Sequence, residues 1–261
     1  MIEATRSLGS TMSAVELHPG VRRPDWSVVT RPAAREALGG RIAARSGLLA
    51  KWSTTLGKTE DLVWRSIMDL FPTLGRPPRV EEIASATKMS RDGLLPVLRE
   101  LQQRDLLVFD EAMGSVTHAY PFTGSKSRHR VRLGERTLNA LCAVDALGVG
   151  AMYRQDISIE SSCHFCNAEI RIATRRNGAA LANVFPASAV VWYDAVYSGG
   201  CAATSCCPSI AFFCSDDHLR QWLVPRAKPQ HGYRLWPDEA LEVGRALFGP
   251  VLATPNTGPD D

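Results

Sequence analysis

The spacing of apolar residues between positions 59 and 122 predicts three helices followed by two strands. Leu62, Val63 and Ile67 recur on one helical face, and Ser90 is a candidate N-cap for the third helix. The predicted elements, in order, are a helix that ends near Pro72, helices at 80–84 and 92–104, and strands at 106–109 and 116–122. This order is typical of a winged helix-turn-helix. We therefore predict an N-terminal winged helix-turn-helix-like domain at 58–122.

A winged helix-turn-helix domain can bind DNA through its third helix. That helix and the residues on either side of it carry basic and acidic side chains in equal number: Arg91, Arg99, Arg104, Asp92, Glu100 and Asp105. Such a balance leaves no excess of positive charge for phosphate contacts. We therefore expect a structural domain and no DNA binding.

Residues 123–250 alternate between strand-like and helix-like patterns. Strands are expected at 128–133, 157–163, 168–174, 187–196 and 210–213, helices at 135–147, 216–224 and 237–248, and turns at Asn177-Gly178 and Gly199-Gly200. The predicted fold class is thus α+β, with a mixed α/β second domain built on a mainly antiparallel sheet. Residues 1–57 contain one helical pattern at 32–51 and are expected to form a peripheral, poorly defined extension. Residues 251–261 read as a polar tail.

Composition narrows the class of protein. The 261 residues are 45% hydrophobic and 22% charged, with a formal net charge of +3, as is ordinary for a soluble globular protein. No apolar run is long enough to span a bilayer, and no secretory signal is recognisable. We expect a cytoplasmic protein.

All seven cysteines lie beyond residue 141: Cys142, Cys163, Cys166, Cys201, Cys206, Cys207 and Cys214. An odd number of cysteines in a chain without a secretory signal argues against a disulfide framework. The cysteines therefore point to metal binding or thiol chemistry.

Cys142 and Asp145 are the first candidate reactive pair. On the predicted helix they share a face that is otherwise apolar. Desolvation there would raise the proton affinity of Asp145, as a proton-transferring acid requires. The alternative is that Cys142 is a small core residue and Asp145 a structural carboxylate.

Cys163 and Cys166 form a C-x-x-C pair, which is a common zinc half-site. Cys206 and Cys207 could supply two further ligands, although adjacent cysteines make an awkward second half-site. The alternative is that Cys163 only packs on its strand.

Three of these features together resemble the organomercurial (alkylmercury) lyase family: Cys142-x-x-Asp145, Ser162-Cys163, and Cys207 shortly before Phe212-Phe213. The similarity extends over about 61–248. The resemblance implies that a winged-helix-like domain precedes a catalytic domain, whose catalytic set is two cysteines and one aspartate.

The resemblance assigns the catalytic roles to Cys142, Asp145 and Cys207, the last chosen by counting back from Phe212-Phe213 without a gap. It makes Cys163 structural. Leu141 departs from the family pattern, and the additional cysteines Cys166, Cys201 and Cys214 leave open a further metal-binding role.

The implied reaction is protonolysis of R-Hg⁺ to a hydrocarbon and Hg(II). Thiolates suit a soft cation such as mercury. Cys142 and Cys207 would capture the metal, while Asp145 would deliver a proton to carbon and bind the Hg(II) product transiently. Small thiols or a mercuric reductase would accept Hg(II), no organic cofactor is expected, and the protein would be a monomer or homodimer. Two alternatives remain, namely a metal-responsive winged-helix regulator and a metal-binding protein without turnover.

Overall fold

The computed structural model describes residues 24–44, 56–195, 200–224 and 231–252. The helices are α1 (Pro32–Ala44), α2 (Lys58–Leu74), α3 (Val80–Thr87), α4 (Arg91–Gln103), α5 (Ala143–Tyr153), α6 (Ala202–Ser205), α7 (Asp216–Leu223) and α8 (Pro237–Phe248). The strands are β1 (Leu107–Asp110), β2 (Ser115–Ala119), β3 (Phe122–Thr123), β4 (His129–Leu133), β5 (Arg136–Ala140), β6 (Ile157–Ser162), β7 (Glu169–Arg175), β8 (Ala180–Phe185), β9 (Val190–Asp194), β10 (Ala211–Phe213) and β11 (Gly232–Leu235). Among these residues, no helix has the length and apolar character needed to cross a membrane.

Two antiparallel sheets organise the molecule. The larger has eight strands in the order β1-β2-β3-β5-β4-β6-β7-β8, and the smaller has the order β10-β9-β11. Every strand pairing is antiparallel. The prediction of an α+β fold with a mainly antiparallel sheet is therefore confirmed.

Helices α2, α3 and α4 and the β1–β2 hairpin follow one another in the predicted order. Ser90 caps α4 as expected, since its side chain accepts a hydrogen bond from the Gly93 N–H. The assignment of these elements to a winged-helix fold stays a prediction. Strand β3 pairs with both β2 and β5, so the large sheet continues across the predicted boundary at residue 122.

The prediction of a helix over 135–147 is wrong. Residues 136–140 form β5, and α5 begins only at Ala143. The buried Leu138 pairs with the buried Val131 of β4, so the apolar positions follow the alternation of a strand. The apolar face inferred from a single helix does not exist, because the residues with helical spacing belong partly to β5 and partly to the start of α5. These residues are Leu138, Leu141, Cys142 and Asp145.

The remaining predictions concern turns, edge strands and the ends of the chain. The Asn177-Gly178 turn is confirmed, because both residues have positive φ (58° and 76°) between β7 and β8. Strands β8 and β11 were not predicted. Several predictions lie outside the described residues. They concern residues 1–23, the end of the predicted helix at 45–51, Gly199 of the second predicted turn, and most of the polar tail.

Residues 24–44 are not peripheral, contrary to expectation. The Glu242 carboxylate of α8 accepts hydrogen bonds from the backbone N–H groups of Thr30 (2.8 Å) and Arg31 (2.9 Å). The Asp25 N–H donates to the Ala246 carbonyl at 2.8 Å. This part of the N-terminal segment is therefore attached along α8.

Helix α5 packs closely against α8 through two glycines. A Cβ atom at Gly148 would lie 2.9 Å from the Gly244 carbonyl oxygen and 2.3 Å from the Phe248 ring. The two helix backbones can approach this closely because neither Gly148 nor Gly244 carries a side chain. This contact fixes the position of α5, whose first turn carries Asp145.

Candidate active site

Cys142 is the N-cap of α5. Its backbone is extended (φ −149°, ψ 176°), and its Sγ accepts a hydrogen bond from the Asp145 N–H at 3.3 Å. Helix capping, and not a shared helix face, therefore brings Cys142 and Asp145 together. Both side chains are buried, with 1% and 5% of their surface exposed.

Cys207 comes from a separate loop. It starts a short 3₁₀ turn, Cys207–Ser209, that follows α6. The carbonyl of Ile210, just after this turn, accepts a hydrogen bond from the Ala143 N–H at 3.1 Å. This bond joins the Cys207 loop to the start of α5.

The structure brings the three predicted site residues together. One donor atom from each of Cys142, Asp145 and Cys207 lies within 4.8 Å of the other two, and all three residues are buried. Two sulfurs and a carboxylate at this separation could hold one soft metal ion.

The two thiols differ in their proton affinity. Burial raises the pKa of Cys142, while a hydrogen bond from Cys207 and the positive charge of Arg41 oppose that rise. The hydrogen bonds of Cys207 with Cys142 and Cys206, together with burial, raise the pKa of Cys207 well above its usual value. Cys142 is therefore the thiol that ionises first.

Arg41 is a buried cation beside these thiols, supplied by α1. Its guanidinium donates to the Asp194 carbonyl, lies 3.7 Å from the Cys206 Sγ, and stacks over the Tyr193 ring at 4.4 Å. Its charge acts on Cys206, Cys207 and Cys142. Sequence reasoning missed Arg41, because the segment that carries it was expected to be peripheral.

Asp105 and Tyr120, which precede β3 in the chain, support the Cys207 loop. The Asp105 carboxylate accepts from the Ala202 N–H at 3.0 Å and from the Tyr120 hydroxyl at 3.5 Å. Burial and the neighbouring Cys207 raise the pKa of Tyr120, which keeps its hydroxyl protonated. Asp105 was noted only for its charge, and no spacing signal connected it to residue 202.

Cys206 is not a member of the three-residue cluster, although its side chain is hydrogen-bonded to Cys207. Its thiol donates to the Ala202 carbonyl at 3.1 Å. The two adjacent cysteines thus differ in position, since only Cys207 clusters with Cys142 and Asp145, and the catalytic role of Cys207 stays a prediction.

Cys163 and Cys166 do not cluster with Cys206 and Cys207, so the suggested second half-site is wrong. They meet Cys214 and His218, and the four ligand atoms lie within 4.8 Å of one another. The β6–β7 turn lies beside the end of β10, where the His164 N–H donates to the Phe212 carbonyl at 2.9 Å. The spacing Cys214-x-x-x-His218 was a signal that could have indicated this pairing.

Comparison with known proteins gives concordant results. The family model described as alkylmercury lyase matches residues 122–249. Alkylmercury lyase of Staphylococcus epidermidis is 27% identical over 173 residues, which cover 66% of this chain and 76% of that protein. Alkylmercury lyase of Bacillus cereus is 25% identical over 193 residues, covering 73% and 83%.

A solved structure has a similar fold. The crystal structure of the mercury-bound form of MerB2 superimposes with a TM-score of 0.65 at 24% identity, over 83% of this chain and 99% of that chain. At 24% identity, this likeness supports a similar fold and no particular function.

Proposed function

We propose that this chain is an alkylmercury lyase, an enzyme that cleaves carbon–mercury bonds, and that Cys142, Cys207 and Asp145 perform the cleavage. The match of residues 122–249 to the alkylmercury lyase family model and the similarity to named alkylmercury lyases support this proposal. The observation that carries the assignment is the meeting of two thiols and one carboxylate within 4.8 Å in a buried site. The relatives named above support mercury detoxification as the physiological purpose.

Capture of the substrate begins at Cys142. The Cys142 thiol gives up its proton, and its thiolate displaces a small thiolate from the organomercurial to form a Cys142 S–Hg–R species. The departing thiolate takes up the proton that Cys142 lost. Cys207 then transfers its proton to the Asp145 carboxylate and binds the same mercury as a thiolate. Two thiolates on mercury increase the negative charge on the bound carbon.

Cleavage follows when Asp145 returns this proton to carbon. The carbon–mercury electron pair becomes the new C–H bond, and the hydrocarbon leaves. Mercury remains as Hg(II) on the two sulfurs, with the Asp145 carboxylate available as a third ligand. The proton released by Cys207 thus balances the proton gained by carbon.

Product release requires external thiols. Small cellular thiols, or a mercuric reductase, would exchange with Cys142 and Cys207 and remove Hg(II). We propose no organic cofactor, since the proton and the ligands both come from side chains. A cytoplasmic location agrees with this scheme, because the thiols must stay reduced.

The regulator alternative is less favoured than the lyase. The family match and the named relatives all indicate the enzyme. The arginines of α4 and of its C-cap are also occupied, because Arg91 pairs with Glu81, Arg99 with Glu111, and Arg104 with Glu60. We therefore propose that α2–α4 and the β1–β2 hairpin form a winged-helix-like module that supports the active site and does not bind DNA.

The function is tested by benzene release from phenylmercury in the presence of excess small thiol, followed by gas chromatography. We expect Asp145→Ala and Asp145→Asn to retain tight mercurial binding but to release benzene about 10²–10⁴-fold more slowly, since they lack the proton donor. Mercurial binding by the wild type without benzene release would support the binding-protein alternative instead.

Cys206→Ser and Cys207→Ser form a matched pair for the same assay. Cys207→Ser should abolish turnover, because a hydroxyl is a poor ligand for mercury. Cys206→Ser should be mild, since a serine hydroxyl can still donate to the Ala202 carbonyl. Equal losses in the two variants would contradict the assignment of Cys207.

A further inference from the structure

A second group of soft ligands lies outside the active site, and we infer that Cys163, Cys166, Cys214 and His218 form a structural zinc site. The four ligand atoms lie within 4.8 Å of one another. They come from two segments, the turn between β6 and β7 and the start of α7. The inference is independent of the proposed catalytic role.

The ligand set and the spacing suit zinc. Three thiolates and one imidazole are a common structural zinc set, and both C-x-x-C and a pair separated by three residues are usual spacings. Cys163 and Cys166 have the first spacing, and Cys214 and His218 have the second.

The distances suit tetrahedral coordination. A Zn–S bond of about 2.3 Å places two tetrahedral sulfurs about 3.8 Å apart. The Cys166 and Cys214 sulfurs are 3.7 Å apart, and the Cys163 Sγ lies 3.9 Å from the His218 Nδ1. The Cys214 Sγ and the His218 Nδ1 are closer, at 2.9 Å, a hydrogen bond that a bound cation would replace.

Backbone N–H groups are directed at two sulfurs of this cluster. The Ala168 N–H donates to the Cys166 Sγ at 3.5 Å. The Cys163 thiol is hydrogen-bonded to the backbone at Cys166, Cys214 and Phe165. Donors directed at sulfur favour its charged form, which is the form that binds a metal.

The position of the histidine is also fixed. The Ser215 side chain caps α7 by accepting from the His218 N–H at 3.2 Å. The Phe165 ring lies 5.2 Å from the His218 ring. The β6–β7 turn thus both supplies two ligands and holds the imidazole of α7 in place.

A zinc ion here would stabilise the strand that follows Cys207. Strand β10 begins shortly after the Cys207 turn and ends directly before Cys214. Its Phe212 carbonyl is already bonded to the His164 N–H of the C-x-x-C turn. The metal would therefore tie β10 to the β6–β7 turn at the end remote from the mercury site.

The test is metal analysis of the full-length protein, produced in zinc-supplemented cells and dialysed against a weak chelator. We expect about one zinc per chain in the wild type and in Cys142→Ser, which disables the active-site pair. Cys214→Ser and His218→Ala should lose it. Cys201→Ser is the matched control, a partly buried cysteine outside the cluster that should keep zinc.

A spectroscopic measurement covers the case in which Cys214→Ser fails to fold. Cobalt(II) bound to three thiolates and an imidazole has intense thiolate charge-transfer bands and tetrahedral d–d bands. Cys166→Ser changes an exposed ligand, so we expect it to fold and to lose intensity in these bands. Absence of tightly bound zinc in the wild type, or its loss in Cys142→Ser but not in Cys214→Ser, would overturn the inference.

Discussion

At the scale of single residues, Arg41 places a positive charge near Cys142, the proposed nucleophile. Burial alone raises the pKa of Cys142, and the charge of Arg41 is one of the influences that oppose it. The guanidinium is held by the Asp194 carbonyl and by the Tyr193 ring. Arg41 is thus a positioned cation that favours the thiolate form of Cys142.

We expect Arg41→Gln to lower kcat/KM for phenylmercury at neutral pH. Without the cation the pKa of Cys142 rises further, so the limb of the profile that depends on thiolate moves to higher pH. At a pH below this pKa, raising the pKa by about one lowers the thiolate fraction, and with it the rate, about tenfold. The measurement is kcat/KM against pH, with Arg41→Lys as the control that restores part of the wild-type profile.

The shape of the pH profile separates an electrostatic role from a structural one. An electrostatic role predicts that Arg41→Gln recovers toward wild-type kcat/KM at alkaline pH. A loss that is equal at every pH would show that Arg41 serves only the packing of α1.

At the scale of secondary-structure elements, the start of α5 sets the geometry of the site. The N-cap position gives Cys142 an extended backbone, while Asp145 lies in the first turn of the helix. The contact between Gly148 and Gly244 then holds that turn against α8. The precision of the Cys142–Asp145 pair therefore depends on the packing of two helices.

Gly148→Ala should destabilise the protein by about 1–3 kcal/mol, because its methyl group would overlap the Gly244 carbonyl and the Phe248 ring. Urea unfolding measures the change. Gly39→Ala is the matched control in α1, where the new Cβ would meet only Trp26 at 3.9 Å. It should be neutral or slightly stabilising, and equal effects in the two variants would contradict the packing argument.

The sequence predicted most elements but not the junction that matters for the site. Periodicity identified the α4 cap, the Asn177-Gly178 hairpin and both closing helices, since these depend on local signals. It placed 135–147 in a single helix because strand β5 and the first turn of α5 happen to follow helical spacing. Only the pairing of β5 with its neighbours β4 and β3, which helical spacing along the sequence does not reveal, resolves them.

At the scale of the whole molecule, three separate parts of the chain meet at the cluster of Cys142, Asp145 and Cys207. The N-terminal segment supplies Arg41, the part of the chain before β3 supplies Asp105 and Tyr120, and the part after β5 supplies Cys142, Asp145 and Cys207. The family resemblance identified the last three. The others depend on tertiary packing, because single charged or aromatic residues in distant segments carry no spacing pattern.

The attachment of the N-terminal segment to α8 should therefore control the active site from a distance. Glu242 is buried and accepts hydrogen bonds from the Thr30 N–H, the Thr30 hydroxyl and the Arg31 N–H. Removing this carboxylate leaves these donors without their acceptor and releases the segment that leads into α1. We expect Glu242→Ala to reduce kcat/KM in the same pH-dependent manner as Arg41→Gln.

A double-mutant cycle tests whether Glu242 acts through Arg41. If it does, Glu242→Ala combined with Arg41→Gln should be no slower than Arg41→Gln alone, since the cation is already absent. Asp238→Asn is the control, because Asp238 pairs with the Arg31 side chain at 2.6 Å but is partly exposed to solvent, and it should leave turnover unchanged. Additive losses in the double variant would mean that Glu242 supports the site through α8 itself, independently of the N-terminal segment.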